Sequence, residues 1–511
     1  MSKSLLKSTG IVSAMTSLSR VSGFIRDMVY AQMFGAGSGT DAFFVAFRIP
    51  NFLRRLFAEG AFSQAFVPVF SEYQTQRSRE ELKELVDQVA GTLGAILLLI
   101  TAVGVLAAPV LILLFAPGFT NDAGKYEITV QMLRITFPYL LFISLTAFAG
   151  GVLNSCGKFA IPAVTPVLLN LTMIAAAVWL APAMEQPVMG LAWGVFIAGV
   201  VQLGFQIPFL RQVKLLPRPR WGWASQGVQH VLKLMLPAIF GSSVAQVNLL
   251  IDTVVASFLV SGSVSWLYYS DRLVEFPLGI FGVALGTVIL PKLSRQHADA
   301  EAEGFSQTLD WALRWALLIG VAATVALMLL SGPMLAALFQ YGQFDAHDVA
   351  MSARSLMAFA SGLVAFMLIK VLAPGFYARK DTRSPVKYGV IAMVANTIMV
   401  LLLVWPLAHA GLALATSLAA FLNAGLLFYN LRKRGIYQPR AGWPKFLLQL
   451  ALANGVMGLV LWLGVGDLES WTLASAKERL WHLSWLIAAG GASFLAAVLT
   501  VGIRPRHLLL R

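Results

Sequence analysis

Charged residues are scarce in this 511-residue chain. Asp, Glu, Lys and Arg together make up 12% of it, whereas they form about 25% of an average soluble protein. Hydrophobic residues make up 58%. A soluble chain of this length could not cover its surface with so few polar side chains, so the soluble, disordered and fibrous classes are excluded. A polytopic membrane protein remains.

Common signatures of chemistry are missing as well. The single cysteine, Cys156, excludes an internal disulfide and a cysteine-based metal site, and we interpret it as a small packing residue. The chain has no HExxH, GxSxG or P-loop motif, and its six histidines are scattered. We therefore expect no enzymatic activity, no cofactor and no metal, and no residue pattern identifies a coupling ion.

Apolar segments long enough to span about 30 Å of hydrocarbon occur fourteen times. They are 9–33, 41–70, 88–115, 128–151, 161–181, 190–210, 229–260, 265–290, 309–336, 349–376, 388–406, 411–430, 446–465 and 482–503. The second and eighth contain prolines and several charges, so they are also compatible with re-entrant or broken helices. The pattern predicts an all-α polytopic membrane protein with about fourteen transmembrane helices.

The distribution of basic residues predicts an orientation. If fourteen helices alternate across the membrane, the side that holds both termini receives 24 of the 38 Lys and Arg residues. The opposite loops receive 3, namely Lys125, Lys477 and Arg479. By the positive-inside rule, both termini are predicted to be cytoplasmic. No loop is long enough to fold as a basic soluble domain, so we expect no nucleic-acid partner.

Eleven basic residues remain inside the spans. They are Arg20, Arg26, Arg48, Arg54, Arg55, Arg134, Lys233, Arg272, Arg314, Arg354 and Lys370. At about 2.5–3.5 kcal/mol each, exposing all of them to lipid would cost roughly 30 kcal/mol. We expect Arg134, Arg314 and Arg354 to lie near span ends and reach the interface. The others should face protein or a water-filled cavity.

Helical spacing groups several of these charges. Arg20 and Asp27 are seven residues apart and share a face, as do Arg48 and Arg55. In the eighth span, a local ion-paired turn is predicted for Asp271, Arg272 and Glu275. These charges can be interpreted as structural salt bridges between helices.

A cationic cavity is the interpretation that we favour. The first two spans hold five arginines, against the three acids Asp27, Asp41 and Glu59. A surplus of arginine inside a membrane predicts an anionic ligand, and the bidentate guanidinium suits phosphate or diphosphate.

The chain also contains a weak internal repeat. Residues 27–31 resemble 252–256, and residues 68–71 resemble 291–294, with offsets of 225 and 223. Six spans separate the copies, so they share an orientation, and two pseudo-symmetric six-helix lobes are predicted. The predicted units are residues 1–221, 222–440 and 441–511.

Several longer motifs resemble the MurJ (MviN) family of the MOP exporter superfamily. They are Ser19–Val21 with Gly23–Asp27, Phe34–Gly37, Thr40–Phe47, Asn51–Ser63, Ser263–Trp266 with Tyr268–Leu273, and Leu372–Arg379. The resemblance implies a flippase that moves lipid II, an undecaprenyl-diphosphate-linked precursor, from the inner to the outer leaflet by alternating access. It also implies two lobes around a cationic cavity, with residues 441–511 forming a groove for the lipid tail.

Site residues follow from the same resemblance. Arg20, Arg26 and Arg272 are expected to face the cavity and engage the diphosphate or sugar–peptide, and Asp27 to pair with Arg26 or orient it. Gating or cavity-supporting roles are expected for Asp41, Arg48, Arg54, Arg55, Glu59, Asp271 and Glu275. For Asp41 an alternative is a helix N-cap after Gly39 and Thr40.

The setting expected from the resemblance is the bacterial inner membrane. Lipid II and membrane lipids are the expected partners, cell-wall synthesis proteins are candidate partners, and a monomer is expected. Two other functions are alternatives. An ion-coupled exporter of small cationic solutes, similar to the MATE transporters, would line its cavity with acids. An enzyme or scaffold of cell-wall lipid metabolism would need a catalytic carboxylate or histidine pair, or a sizeable soluble domain.

Overall fold

The computed structural model describes residues 3–55 and 62–503. Within these residues the chain is almost entirely helical and contains no β-strand. It divides into two compact units, Met1–Gly262 and Ser263–Arg511. The predicted class, an all-α polytopic membrane protein, is confirmed.

The first unit contains ten α-helices among its described residues. They are α1 (Lys3–Phe34), α2 (Ser38–Arg54), α3 (Ser63–Gln76), α4 (Arg79–Leu106), α5 (Ala108–Phe115), α6 (Ala123–Thr136), α7 (Tyr139–Ser155), α8 (Ala160–Ala175), α9 (Met189–Gln212) and α10 (Gln226–Ser257). Short 3-10 turns at Pro117–Asn121 and Ala181–Ala183 and a π-helical turn at Ala176–Leu180 lie between them.

The described part of the second unit also contains ten. They are α11 (Ser263–Pro277), α12 (Val283–Ala298), α13 (Ala302–Leu329), α14 (Ser331–Phe339), α15 (Ala346–Ser361), α16 (Leu363–Tyr377), α17 (Arg383–Lys433), α18 (Trp443–Val465), α19 (Leu468–Leu473) and α20 (Ala476–Thr500).

Ten helical segments among the described residues are long and apolar enough to cross a membrane. One of them is α17, whose 51 residues cover both 388–406 and 411–430. Its backbone leaves the helical region at Ala408 (φ 47°, ψ −130°), shortly after Pro406. Each of the fourteen predicted spans falls mainly on helix, and their number stays a prediction.

The two irregular spans are described to different extents. In the second, α2 precedes residues 56–61, which lie outside the described part of the chain, and α3 follows them. The eighth is one continuous helical segment, Ser263–Ala298, in which a π-helical stretch (Leu278–Gly282) follows Pro277. Pro277 has no backbone N–H to donate within the helix, and the helix changes to the wider π form directly after it.

Helix lengths and caps follow the internal repeat of the sequence. Helices α1 and α10 end at corresponding positions of the repeat, Phe34 and Ser257. Helices α4 and α13 also begin at corresponding positions, and each has 28 residues. Asp122 and Asp345, another corresponding pair, each cap the following helix by accepting a backbone hydrogen bond (3.1 and 2.9 Å). All three pairs share the offset between residues 68–71 and 291–294.

Two aspartates in equivalent positions anchor a loop in each unit. Asp87 on α4 accepts a hydrogen bond from the backbone N–H of Arg218 (2.7 Å). Asp310 on α13 accepts one from the backbone N–H of Arg440 (3.2 Å). Each aspartate is also ion-paired with a basic residue one turn away on its own helix. The loops that precede α10 and α18 are thereby held against α4 and α13.

Apolar packing forms a separate core in each unit. In the first, an aromatic cluster that includes Phe62, Phe66, Phe70 and Phe148 joins α3, α4, α7 and α10. Cys156 packs at its edge as a free thiol, in agreement with the packing role predicted for it. In the second, α18 and α20 pack on each other and on α13.

The boundary between the units lies later than the predicted lobe boundary. The first unit runs to Gly262 and includes α10, which packs against α3, α4 and α5. The predicted division after residue 221 is drawn from the sequence repeat, whereas the two units are defined by compactness. The predicted lobe boundary therefore stays a prediction.

Candidate functional site

The Arg26 guanidinium on α1 is held by three side-chain hydrogen bonds. Its Nε and Nη2 atoms donate to Asp27 Oδ1 (3.0 and 2.7 Å), and Nη1 donates to Asn170 Oδ1 on α8 (3.0 Å). Arg26 and Asp27 are both buried. The expected pair therefore exists, and it is joined to a second helix by a neutral amide.

Asn170 is a site residue that the sequence pattern does not identify. Its Nδ2 donates to the Ser19 carbonyl and to Ser22 Oγ on α1 (3.0 Å each). A side chain at Gly23 would press on this amide, because its Cβ would lie 3.3 Å from Asn170 Nδ2. The small residues of α1 thus let α8 approach closely enough for Asn170 to hold Arg26.

The remaining arginines of the first two spans are spread over different environments. Arg20 is exposed, and the described residues give its side chain no ion-pair partner. Arg48 donates from Nη1 to Thr253 Oγ1 on α10 (2.7 Å). Arg54 donates to Asn51 one turn earlier on α2 (2.8 Å). Arg55, the C-cap residue that follows α2, is half-buried.

Asp41 is buried at the start of α2 and joins three segments of the first unit. Its Oδ2 atom accepts from Lys125 Nζ on α6 (2.9 Å) and from the backbone N–H of Gly262 (2.7 Å). The N-cap alternative is wrong, because α2 begins at Ser38 after Gly37 and Asp41 lies inside the first turn. Glu59 lies outside the described residues.

The environment of Lys125 differs from the one that the sequence predicts. The span pattern places it in an outer loop, yet its side chain is only 5% exposed. Its Nζ atom donates to Ser261 Oγ (3.2 Å) as well as to Asp41, and it lies 4.2 Å from the centre of the Phe119 ring. A position beside a span end is expected to meet solvent, but here the chain folds over it.

The second unit has a related but chemically different contact. Trp266, the fourth residue of α11 as Asp41 is the fourth of α2, donates from Nε1 to Asp348 Oδ1 (2.8 Å). Asp348 in turn corresponds to Lys125. The repeat therefore keeps the contact between two helix starts, but it replaces a carboxylate–ammonium pair by an indole–carboxylate pair.

Arg272 is more accessible than Arg26. On α11 it donates to Glu275 Oε2 (2.6 Å) and to the Tyr268 hydroxyl (3.3 Å), and its guanidinium lies over the Tyr268 ring. The predicted ion-paired turn is present between Arg272 and Glu275. Asp271 is exposed on the same turn.

Arg314 lies near the start of its span, as expected, and its head group is held by protein contacts there. It donates from Nε to the buried Asp310 (2.9 Å) and lies over the Trp443 and Phe446 rings. Asp310 also accepts from Trp443 Nε1 (2.7 Å). The loop that precedes α18 folds back over the end of the span and leaves the Arg314 side chain 19% exposed. Arg134 and Arg354, by contrast, are exposed.

The same cluster perturbs a tyrosine in that loop. Tyr437 donates from its hydroxyl to Asp310 Oδ1 (2.8 Å). Burial, together with the hydrogen bond to this carboxylate, raises the pKa of Tyr437. The hydroxyl therefore stays protonated and continues to donate.

These contacts limit what the two strongest candidates can bind. Arg26 and Arg272 each carry a carboxylate partner, so an anionic ligand must either share the guanidinium with that carboxylate or displace it. Among the described residues, no group of three or more His, Cys, Asp and Glu side chains could hold a metal ion.

Comparison with known proteins gives a consistent result. A family model described as "Lipid II flippase MurJ" matches residues 30–481. A probable lipid II flippase MurJ of Vibrio cholerae serotype O1 is 50% identical over 515 residues, which cover 99% of this chain and 98% of the relative. A lipid II flippase MurJ of Burkholderia cenocepacia is 46% identical and covers 98% of each chain.

Solved structures agree. A lipid II flippase MurJ in an inward closed conformation matches with a TM-score of 0.80 and 27% identity, over 95% of this chain and 97% of the other. An inward-facing MATE transporter of the MOP superfamily matches with a TM-score of 0.66 over 83% of this chain and 97% of the other. At 14% identity, that second likeness concerns the fold alone.

Proposed function

Because the chain belongs to the MurJ lipid II flippase family, we propose that it transports lipid II from the inner to the outer leaflet of the bacterial cytoplasmic membrane. It is a transporter rather than an enzyme. The observation that carries the proposal is the match to the family model over residues 30–481, which includes the second span with its three arginines.

The chemistry of the intramembrane charges supports this substrate class. Arg26 is an arginine held at a fixed orientation within an apolar helix, and arginine remains protonated at any physiological pH. Its guanidinium can exchange a carboxylate oxygen for a phosphate oxygen without a change of geometry. A cation exporter would need acids without such partners, so that alternative is not favoured.

We propose that Arg20, Arg26, Asp27 and Arg272 bind the head group. Arg20 and Arg272 are accessible, whereas Arg26 is buried beside Asp27. The accessible arginines would meet the diphosphate or sugar–peptide first, and Arg26 would receive it by exchange with Asp27. A supporting or gating role is proposed for Asp41, Arg48, Arg54, Arg55, Glu59, Asp271 and Glu275.

For the polyprenyl tail we propose the outer surface of α18 and α20. That surface is apolar, and Trp462, Leu463, Trp481 and Trp485 are each more than 60% exposed. Contact of large exposed apolar side chains with lipid tails is more favourable than their contact with water. The tail would stay in hydrocarbon there while the head group crosses.

A direct test measures lipid II in the outer leaflet of cells whose only flippase is this protein. We expect the wild type to sustain growth and outer-leaflet lipid II, and Arg26→Ala to lose both at normal membrane abundance. Arg134→Ala, which removes an exposed arginine, is the matched control and should retain both. If cells that express only the wild-type protein had no lipid II in the outer leaflet, the proposed function would be contradicted.

We further propose that both termini are cytoplasmic and that the protein acts as a monomer. Replacement of the free Cys156 by serine gives a background for accessibility labelling. On that background, Gln343→Cys should react with a membrane-impermeant maleimide in intact cells, and Lys214→Cys only after lysis. The reverse pattern would overturn the orientation. A mass of one chain per detergent micelle is expected from light scattering.

The membrane potential offers a driving force for this direction of transport. Moving the two negative charges of a diphosphate outward against an inside-negative potential of 100 mV is favourable by about 4.6 kcal/mol if no other charge moves. Collapse of the potential at constant ion gradients should therefore slow transport. An unchanged rate would show that another gradient is used.

A further inference from the structure

Two tryptophans form an exposed aromatic surface on the loop between α9 and α10. The Trp221 and Trp223 rings stack with centres 6.0 Å apart and planes within 9° of parallel. They are 66% and 50% exposed. In the corresponding loop of the second unit, Trp443 is turned inward and bonded to Asp310. In the first unit, by contrast, both tryptophan side chains of the loop are exposed.

Helix α4 contacts the backbone of this loop through hydrogen bonds and a close approach. The backbone N–H groups of Arg218 and Gly222 donate to Asp87 (2.7 Å) and Thr92 (3.0 Å). At Gly91 the helix and the loop approach so closely that a Cβ would lie 2.1 Å from the Arg220 carbonyl oxygen. Since the backbone is fixed from one side, the side chains of the loop are displayed on the other.

The displayed side chains are basic as well as aromatic. Residues 211–228 contain four basic residues and no acid. The four are Arg211, Lys214, Arg218 and Arg220, and all are exposed. The loop follows directly on the end of α9 at Gln212 and precedes α10, which begins at Gln226. It therefore lies at the ends of two apolar helices, where a membrane meets water.

We propose that Arg218, Arg220, Trp221 and Trp223 form a binding surface for an anionic phospholipid of the cytoplasmic leaflet, with the guanidinium groups on the phosphate and the indole pair at the glycerol level. Indole has an apolar body and one N–H donor, and it prefers this depth of a bilayer. Basic residues beside it attract anionic head groups. The assignment of this surface to the cytoplasmic leaflet depends on the orientation proposed above. The preference for an anionic phospholipid does not depend on it.

The test uses the purified full-length protein in vesicles of phosphatidylcholine that contain a photoactivatable phosphatidylglycerol or, separately, a photoactivatable phosphatidylcholine. Crosslinked peptides are quantified by mass spectrometry. We expect the 211–228 segment to react several-fold more with phosphatidylglycerol than with phosphatidylcholine, and about 1 M salt to reduce this preference.

Two double variants separate charge from aromatic contact. R218Q/R220Q should lower the phosphatidylglycerol yield on this segment about tenfold or more, whereas W221A/W223A should lower the yield of both lipids. K380Q/R383Q, which removes two exposed basic residues from another loop predicted to be cytoplasmic, is the control and should leave the yields on 211–228 unchanged.

Equal yields for the two lipids in the wild type would overturn the proposal, as would an unchanged yield in R218Q/R220Q. Thermal unfolding in detergent checks that each variant folds, and the backbone donors to Asp87 and Thr92 remain in all of them. If a variant does not fold, the comparison of the two lipids on the wild type still decides.

Discussion

Arg26 donates two hydrogen bonds to one oxygen of its chain neighbour: both Nε and Nη2 bind Asp27 Oδ1, at 3.0 and 2.7 Å. The third donor, Nη1, is held by Asn170 from another helix. The carboxylate thus neutralises the guanidinium, while the amide fixes its direction without adding charge.

Asn170→Ala is expected to reduce lipid II transport about tenfold while leaving the protein folded. A hydrogen bond to a charged group is worth about 1.5–3 kcal/mol, and its loss frees Arg26 to rotate about its bonds to Asp27. The measurement is outer-leaflet lipid II per molecule of protein. Asn430→Ala is the control, because Asn430 donates to the Leu426 carbonyl of its own helix. Equal effects of the two variants would remove the positioning role.

Lys125→Met is expected to destabilise the first unit by about 3–5 kcal/mol, because it leaves Asp41 as a buried carboxylate that has lost its cation. Asp41→Asn should cost a similar amount. The double variant should cost less than the sum, since neither charge is then left alone. Thermal unfolding in detergent provides the three values. Strict additivity would contradict direct coupling between the two side chains.

Arg314→Ala is expected to lower the unfolding temperature by several degrees, since the variant lacks both the ion pair with Asp310 and the contact with Trp443. A residue that merely reached a membrane interface would be tolerated. Arg354→Ala, which removes an exposed arginine, is the comparison. If both variants unfold at the wild-type temperature, the contacts of Arg314 with Asp310 and Trp443 do not contribute to stability.

Gly411→Ala is expected to destabilise the protein by about 2 kcal/mol or more. A Cβ at this position would lie 2.3 Å from the Leu403 carbonyl oxygen, where the backbone of α17 breaks at Ala408. Gly425→Ala, in the same helix, meets no atom within 4 Å. Its expected effect is neutral or slightly stabilising, by up to about 1 kcal/mol, because alanine favours a helix. Thermal unfolding of both variants checks the difference.

The sequence predicts the helical class and the paired charges that are close along the chain. Arg26 with Asp27, and Arg272 with Glu275, are within one helical turn, so spacing alone identifies them. Asn170 lies 144 residues from Arg26, and nothing in an apolar run marks one amide as the partner of a distant arginine.

Arg314 and Lys125 show a second limit of prediction from the sequence. Hydropathy separates span from loop, but it does not indicate where a loop folds back over a span end. Both residues are near such ends, and both are covered by segments that are distant in sequence. Their environments depend on tertiary contacts that no local pattern contains.

Positions 125 and 348 have one further consequence. They are equivalent in the repeat, both lie in the first turns of corresponding helices, and one carries an ammonium where the other carries a carboxylate. Two copies of the first half would present lysine at both positions, and two copies of the second would present aspartate. Because both partners of each contact lie in the same unit, a protein rebuilt from the first half twice would contain the Asp41–Lys125 pair in both units, and one rebuilt from the second half twice would contain the Trp266–Asp348 pair in both.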